Sequence, residues 1–354
     1  MAQTSSIQGV ATLNQGFVSN EIEDLYASHL NLNGFCTVDN GLQGVAGDIR
    51  KINVYNAAGS AEDVTEGNGN SGYISTTLIE KEYRVKCAQS WFRYSDEALM
   101  RDPVAVQTGV SRLGVSLFDK VNADLYTEMA KASRVVEAST PDFDAFVDAA
   151  AKIDFVDGNE GAREYQGRTI ATLWAILDPK TLAAARKAMK QQLVYDPNLA
   201  WAQGYVGTVA GIALFVKKNA TEKLIYVGTD KAVTIFNKTG VNTEVAARGK
   251  DEANKRLNDI FARKYYIAAL TRDNQIVQIA LPGASAHLVQ SESGDGVTVA
   301  FTLDKTPNDT PVIAVNGERK TAGTDYSVSG GAVTFGTAPA DGAVITIDYH
   351  YTVS

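Results

Sequence analysis

AQSWFRYSDEALMRDP (Ala88–Pro103), running straight into VAVQTGVSRLGVSLFDKVNADLYTEMAKAS (Val104–Ser133), sets the plan of the chain. In the second part Val106, Val110, Leu113, Leu117, Val121, Leu125 and Met129 recur at spacings of three and four, an apolar stripe at helical period. Arg112, Asp119, Lys120 and Glu128 are expected on the opposite side. A helix over Val104–Ala132 spans roughly 40 Å at 1.5 Å per residue. Helices in compact domains average about 11–12 residues, so this one reads as a spar with lobes at both ends. Its entry is legible too. Ser95 can cap a short helical turn, with Asp96 and Glu97 favourable at the positive end. Pro103 suits the first turn of the long helix, where its missing N–H costs nothing.

On the N-terminal side of the spar, residues 1–46 are rich in Ser, Thr, Gln, Asn and Gly, with one short helical patch carrying Ile22, Leu25, Tyr26 and Leu30. Such a composition reads as an arm that becomes ordered against another surface. Residues 47–90 read as a long two-stranded excursion: Asp48–Tyr55, then Tyr73–Cys87, where Ile79, Tyr83, Val85 and Cys87 alternate with charged residues. The tip between them, AAGSAEDVTEGNGNSG, is acidic and rich in Gly and Asn. A lone hairpin is marginal in water, and its half-apolar faces call for a partner.

On the C-terminal side, Thr140-Pro141-Asp142 caps a helix through Phe143, Phe146 and Val147, and Asp178-Pro179 opens another through Leu182, Ala185 and Met189. Between them Ile170–Ile176 reads as a strand. Tyr205–Thr208, Ile212–Val216 and Leu224–Val227 read as short strands, Lys231–Phe236 and Asp251–Phe261 as helical, and Tyr265–Leu270 with Gln275–Ala280 as a hairpin. Residues 286–354 change texture. Strands at Val297–Leu303, Val312–Val315, Tyr326–Val328, Val333–Phe335 and Val344–Tyr351 alternate with the turns Asn316-Gly317, Gly330-Gly331 and Asp341-Gly342, the pattern of a small Ig-like β-sandwich. This stretch holds eight acids and three bases, most of the acidity of a chain whose net charge is −8.

The 354 residues, 45% hydrophobic and 21% charged, are enough for two or three units. The acidic balance argues against a nucleic-acid reader with a continuous basic face. Lys217, Lys218, Lys223, Lys231 and Lys238 form a loose basic cluster, read as a solvated face or as a surface for acidic neighbours. Two cysteines, Cys36 and Cys87, exclude a disulfide framework and read as free thiols. The opening residues carry no basic and apolar leader pattern, and the longest nearly apolar run, Val206–Val216, is too short for a bilayer. Three histidines, His29, His287 and His350, lie far apart without metal spacing and are expected at the surface. Gly67, Gly69 and Gly72 match a dinucleotide fingerprint in spacing, but no strand enters it and no helix follows. Catalytic, cofactor and metal residues are therefore expected to be none. A protein with an arm and a hairpin that cannot stand alone is one whose folding is completed by neighbours.

In this order the segments resemble the major capsid proteins of tailed bacteriophages, the Hong Kong 97-like family. DVTEGN (Asp63–Asn68), the strand through LIEKEYRVKC and the step YSDEALMRDP into a long helix resemble the family's extended loop and spine helix. TLWAILDPKTLAAARKAMK resembles the strand and helix of its peripheral domain, QGYVGTVAGIALFVKKNA the strand pair opening its axial domain, and ANKRLNDIFARKYYIAALTRDNQIVQIAL the closing segment. The likeness covers about residues 45–285. It implies an α+β capsid fold with an N-terminal arm (1–46), extended β-hairpin loop (47–90), peripheral domain with spine helix (91–195), axial domain (196–261) and return to the peripheral domain (262–285), followed by the all-β module (286–354). It further implies a non-enzymatic subunit that self-assembles into hexamers and pentamers around phage DNA, made in a bacterial cytoplasm and located in the virion capsid. Scaffolding and portal proteins are the expected partners, with scaffolding either a separate protein or absent, and with a decoration or cement protein besides and no membrane. Subunit contacts are expected at Ile79, Tyr83, Val85, Glu66, Ile22 and Leu25. Lys51 and Lys81 sit near the loop's base, so no cross-link residue is assigned. An encapsulin-type nanocompartment shell and, from another class, a surface adhesin with an Ig-like tip remain the alternatives.

Overall fold

The computed structural model describes residues 32–45, 47–58, 75–153, 162–165, 168–171, 173–189, 205–246 and 254–354. The long helix runs Pro103–Met129 over 27 residues. All seven residues of the expected stripe are buried, from Leu113 at 3% exposed to Val121, Leu125 and Met129 at 0%. Each Val or Leu so buried contributes roughly 1.5–3 kcal/mol. Ser95 is the N-cap of the preceding short helix Asp96–Arg101, its Oγ accepting from the Ala98 N–H at 3.1 Å. One charged residue departs from expectation: Glu128 is 4% exposed. One carboxylate oxygen pairs with Lys131 at 2.7 Å, and the other is buried without a hydrogen-bond partner. The helix is enclosed on more of its circumference than a surface helix, which leaves this position no route to water.

Against the stripe lies a five-stranded sheet built on one long strand, Leu257–Leu270. Lys86–Ser95 pairs antiparallel with it over ten positions, from Ser95↔Leu257 to Lys86↔Tyr266. Val233–Asn237 and Asn242–Val245 occupy its other edge, and Thr37–Asp39 adds a parallel strand beyond Val233–Asn237. Strand and helix approach closely at Gly109, where an added Cβ would stand 2.3 Å from Phe92 Cζ.

Two helical expectations are corrected here. Val233–Asn237, which overlaps most of the stretch Lys231–Phe236, is a strand, and so is Leu257–Phe261 of the stretch Asp251–Phe261. In the latter Ile260, Ala262, Tyr266 and Ala268 turn to the core while Asp259, Phe261, Arg263 and Tyr265 turn outward. Partners on both edges reward that period of two over any local helical preference. The expected hairpin of Tyr265–Leu270 with Gln275–Ala280 is also absent. After the single turn Asp273–Gln275 the chain changes sheets, and Ile276–Ala280 pairs with Leu224–Gly228 and Val135–Glu137 instead.

That second sheet has six strands in the order Val135–Glu137, Ile276–Ala280, Leu224–Gly228, Leu173–Leu177, Ile212–Val216, Tyr205–Val209. Helices Phe143–Ala151 and Pro179–Met189 cover one face through Phe146, Ala149, Leu182, Ala185 and Met189. Asp142 and Asp178 cap them, as their sequence context implies. The other face joins the core around the long helix, where Tyr126 meets Tyr226 edge-on at 5.3 Å and Phe35 sits against Trp174 and Phe215. The hairpin turn of Tyr205–Val209 and Ile212–Val216 falls at Ala210-Gly211, both with positive φ. The sheets do not follow the sequence boundaries at 195/196 and 261/262. The six-stranded sheet draws from all three segments, and residues 205–245 are divided between both sheets. Strand pairing over long sequence separations carries no local signature, so the sheets and those sequence segments divide the chain differently.

Residues from Ser285 onward form two sheets of their own, Ser285–Ser293, Val344–Thr352, Val312–Val315, Glu318–Arg319 and Ala300–Thr302, Ala332–Phe335, Tyr326–Ser329. Ile313, Val333, Ile345, Ile347 and Tyr349 fill the space between them. The first strand, unmarked in the sequence reading, pairs with the last along nine positions. The root of this sandwich is seated on the body: the Tyr351 hydroxyl donates to Glu137 at 2.7 Å, and Lys305 pairs with Glu137 at 2.8 Å.

Gly109→Val should unseat Phe92 from the long helix. Overpacking of this kind costs about 1–3 kcal/mol. A urea titration should show a lower midpoint with unchanged slope; an unchanged midpoint would mean the close approach is not structurally important.

Candidate assembly interface

The sequence points to surfaces rather than to a catalytic pocket. The hairpin expected over 47–90 is formed by Ile49–Ala58 and Ser75–Arg84, in register from Ile49↔Arg84 to Ala58↔Ser75. Ten residues per strand reach roughly 33 Å. At its base the Val85 N–H donates to the Asp48 carbonyl at 2.7 Å, and the second strand continues directly into Lys86–Ser95. The hairpin is thus an extension of the sheet that carries the long helix. Lys51 and Glu82 pair across it at 3.2 Å, both about half exposed.

Of the six expected contact residues, Tyr83 and Val85 lie at this root. With Leu42 and Ile52 they pack on Phe236, Ile267 and Ala269 of the same chain. The Tyr83 hydroxyl reaches the Leu270 carbonyl at 3.4 Å, and burial first, then the Glu128 carboxylate, pushes its pKa up to about 12. Arg50 lies over the Phe236 ring at 5.4 Å. These contacts hold the hairpin to its own body. Ile79 is in the outer part of the hairpin, opposite Val54. Glu66, Ile22 and Leu25 lie outside the described residues, as do the acidic tip and the glycines Gly67, Gly69 and Gly72.

One surface went unnoticed in the sequence. On the sheet face away from the long helix Trp91 is 53% exposed and stacks on Phe261 at 6.2 Å. Arg93 lies over Trp91 and Arg263 over Phe261, at 5.1 and 5.2 Å. Arg93 forks onto Asp259 at 2.7 and 2.8 Å and holds that carboxyl below its usual range. Arg263 donates to Gln89 and Glu244. The alternation of Gln89, Trp91 and Arg93 with Ala88, Ser90 and Phe92 is the signal that would have found it. Met100 and Val104, 84% and 67% exposed, stand beside the start of the long helix.

The loose basic cluster does not form one patch. Lys217 lies over Tyr126 at 5.2 Å, Lys223 donates to the Pro282 carbonyl, and Lys238 donates to the Gly47 carbonyl. Cys36 is buried, which pushes its thiol up to about 12, and Cys87 is exposed; both are free. Among the described residues no group of three or more His, Cys, Asp or Glu could hold a metal ion, and no helix is long and apolar enough to cross a membrane. The histidines need correction: His350 is exposed, His287 is 6% exposed, and His29 lies outside the described residues. His287 is drawn in because its strand forms the root of the sandwich.

Tyr83→Ala should loosen the hairpin root, with faster hydrogen exchange at Ile49–Ile52 and Lys81–Val85 and about 1–2 kcal/mol less stability. Tyr83→Phe keeps the ring, and its long hydroxyl contact predicts near wild-type exchange. Equal exchange in Tyr83→Ala and wild type would show that the root does not depend on this ring.

No protein-family model and no curated protein matches the chain. Solved structures do. The capsid of Ralstonia phage GP4 superposes with a TM-score of 0.52 over 72% of this chain and 89% of that one, at 11% identity. The head of Helicobacter pylori bacteriophage KHP40 gives 0.52 over 72% and 91%, at 8% identity. Gordonia phage Cozz gives 0.50 over 72% and 87%, at 12% identity. The chain therefore has the Hong Kong 97-like fold of phage capsid structures, α+β in class, with a β-sandwich following it.

Proposed function

We propose that this chain is the major capsid protein of a tailed bacteriophage, a structural and non-enzymatic subunit that assembles with its own copies into the hexamers and pentamers of an icosahedral, DNA-filled shell. The observation that carries this reading is a fold shared with phage capsids over most of both chains. The hairpin supports it. Its root is held by its own chain, while ten-residue strands extend from that root and require a neighbouring surface to cover them. In the shell, Ile79 and the acidic tip with Glu66 lie over the adjacent subunit, and the arm with Ile22 and Leu25 lies along the next. Tyr83 and Val85 act at one remove, by fixing the hairpin's direction. The six-stranded sheet with its two helices is the axial unit, meeting its copies around the capsomer axis, and the five-stranded sheet with the long helix is the peripheral unit.

Further partners belong to this proposal: a separate scaffolding protein or none, a portal, a decoration or cement protein, and packaged DNA that is enclosed without sequence-specific binding. The net charge of −8 suits a container that must not grip phosphates, since such contacts come mainly from Lys and Arg. Assembly takes place in the host cytoplasm and the finished protein resides in the virion capsid. The acidic sandwich faces outward, as a built-in decoration or a contact to the host surface.

Negative-stain images of the purified chain should contain closed shells or rings of five and six; a monodisperse monomer at high concentration would count against the reading. Removal of residues 286–354 should leave assembly in place. Loss of rings from a truncated chain that still unfolds cooperatively would make the sandwich part of the shell contact.

A further inference from the structure

His287 sits at the joint between the sandwich and the body. Its strand, Ser285–Ser293, is the first of the sandwich, and Ala132 follows the end of the long helix by three residues. The ring Nδ1 lies 3.0 Å from the Ala132 carbonyl oxygen, and Nε2 lies 2.7 Å from Asp348 Oδ1. Gln278, fully buried on the six-stranded sheet, completes the joint. Its amide donates to the carbonyls of both Ala132 and His287, and its Oε1 accepts from the His287 N–H at 3.4 Å. The ring thus bonds the end of the long helix and the last strand, while Gln278 of the six-stranded sheet holds the backbone of the same residue.

Both ring nitrogens face oxygens that can only accept. A neutral imidazole has one N–H and can satisfy one of them; the imidazolium satisfies both. We propose that His287 is a proton-dependent latch, which in its doubly protonated form fixes the C-terminal sandwich to the end of the long helix and on losing its proton lets the sandwich swing away. The swing would turn on Pro282-Gly283, where Gly283 has φ +81. The Gly283 N–H donates to the Val353 carbonyl and the Val353 N–H to the Ala284 carbonyl, so both strands at the root would move as one. The latch is a property of the single chain and does not depend on the capsid reading.

The charges around the ring agree with this. Asp348 faces it from the last strand of the sandwich, and Asp273, bonded to Ser133, faces it from the body. The His350 ring lies 5.1 Å away and is held by Asp309 through Nδ1 and the backbone N–H. Across the joint Glu137 carries Lys305 and Tyr351, and Arg134 and Lys152 line the adjoining cleft. Burial opposes the charge on His287, but the Asp348 carboxylate, the Ala132 carbonyl and Asp273 outweigh it, and the pKa is raised. The sign follows from linkage. A raised folded value means that the latch is fully closed below the ordinary histidine value of about 6.5 and is lost as pH rises through the folded value.

The test is hydrogen-exchange protection on the full chain, corrected for intrinsic rates, from pH 5.5 to 9, read at the His287 amide, whose N–H bonds Gln278 across the joint, and at Ala132–Arg134, which the sandwich root covers; the other amides of Ser285–Ser293 pair within the sandwich and serve as the internal reference. Protection in wild type should fall with rising pH, by about tenfold for each unit that the folded pKa exceeds the ordinary one. His287→Gln should be weakly protected and flat across the range, whereas His350→Gln should keep the wild-type fall. Should His287→Gln not fold, Asp348→Asn retains the ring and removes its counter-charge, and the fall should move to lower pH. A wild-type profile independent of pH, a fall that survives in His287→Gln, or an unmoved profile in Asp348→Asn would overturn the latch.

Discussion

The structure depends on the contact between one face of the long helix and the strand pair Lys86–Ser95 and Leu257–Leu270. Val110, Leu113, Leu117, Val121 and Leu125 are nearly inaccessible there, and the ring of Phe92 occupies the space that a side chain at residue 109 would take. Because Lys86–Ser95 continues backward into the hairpin and forward into the helix through the Ser95 cap, the same contact orients three parts together. The helix end then receives the sandwich, and the six-stranded sheet packs near its last turns. A helix of 27 residues packed along its length spans roughly 40 Å and sets the separation of the parts at its two ends.

In the proposed shell, that fixed separation would be required of each subunit. Contacts between copies can close into rings and curved lattices only if the angle between contact surfaces is well defined. The hairpin shows how a flexible-looking excursion acquires a direction: its root is part of the main sheet and is clamped by Tyr83, Val85 and Ile52 on Phe236, Ile267 and Ala269. In the proposed shell the outer strands would meet a neighbour, and the stacked Trp91–Phe261 pair with its ion-paired arginines would offer a flat, pre-ordered face on the same sheet.

Much of this was legible in the residues, unevenly and for identifiable reasons. The helix stripe, the Ser95, Asp142 and Asp178 caps, the turn at Ala210-Gly211 and most strands of the sandwich are encoded within a few residues, where period and cap chemistry act locally. The strand at Leu257–Leu270 was missed over its first half because Lys, Arg, Asn and Asp dilute the apolar pattern, and its exposed face tolerates them. Val233–Asn237 was missed because both its faces are buried, which removes the alternation that marks a strand. Tyr83 and Val85 are expected from the sequence as subunit contacts, and their partners within the chain, Phe236 and Ile267, lie far along it. Nothing local to His287 marks it as buried; its place at the joint follows from the pairing of its strand with the last one.

By itself the sequence determined the spar, its caps, the existence of a hairpin and the separate β-rich end, since helical period, turn residues and strand alternation depend on near neighbours. Only the tertiary structure decided which strands share a sheet, that the chain changes sheets after Leu270, that the hairpin root is clamped from within, and that one histidine joins sandwich to helix. Those outcomes rest on pairings between residues up to some two hundred positions apart, such as Tyr83 with Leu270 and Tyr351 with Glu137. Their free energy appears only once the body has formed, so no window of neighbouring residues can carry their signature.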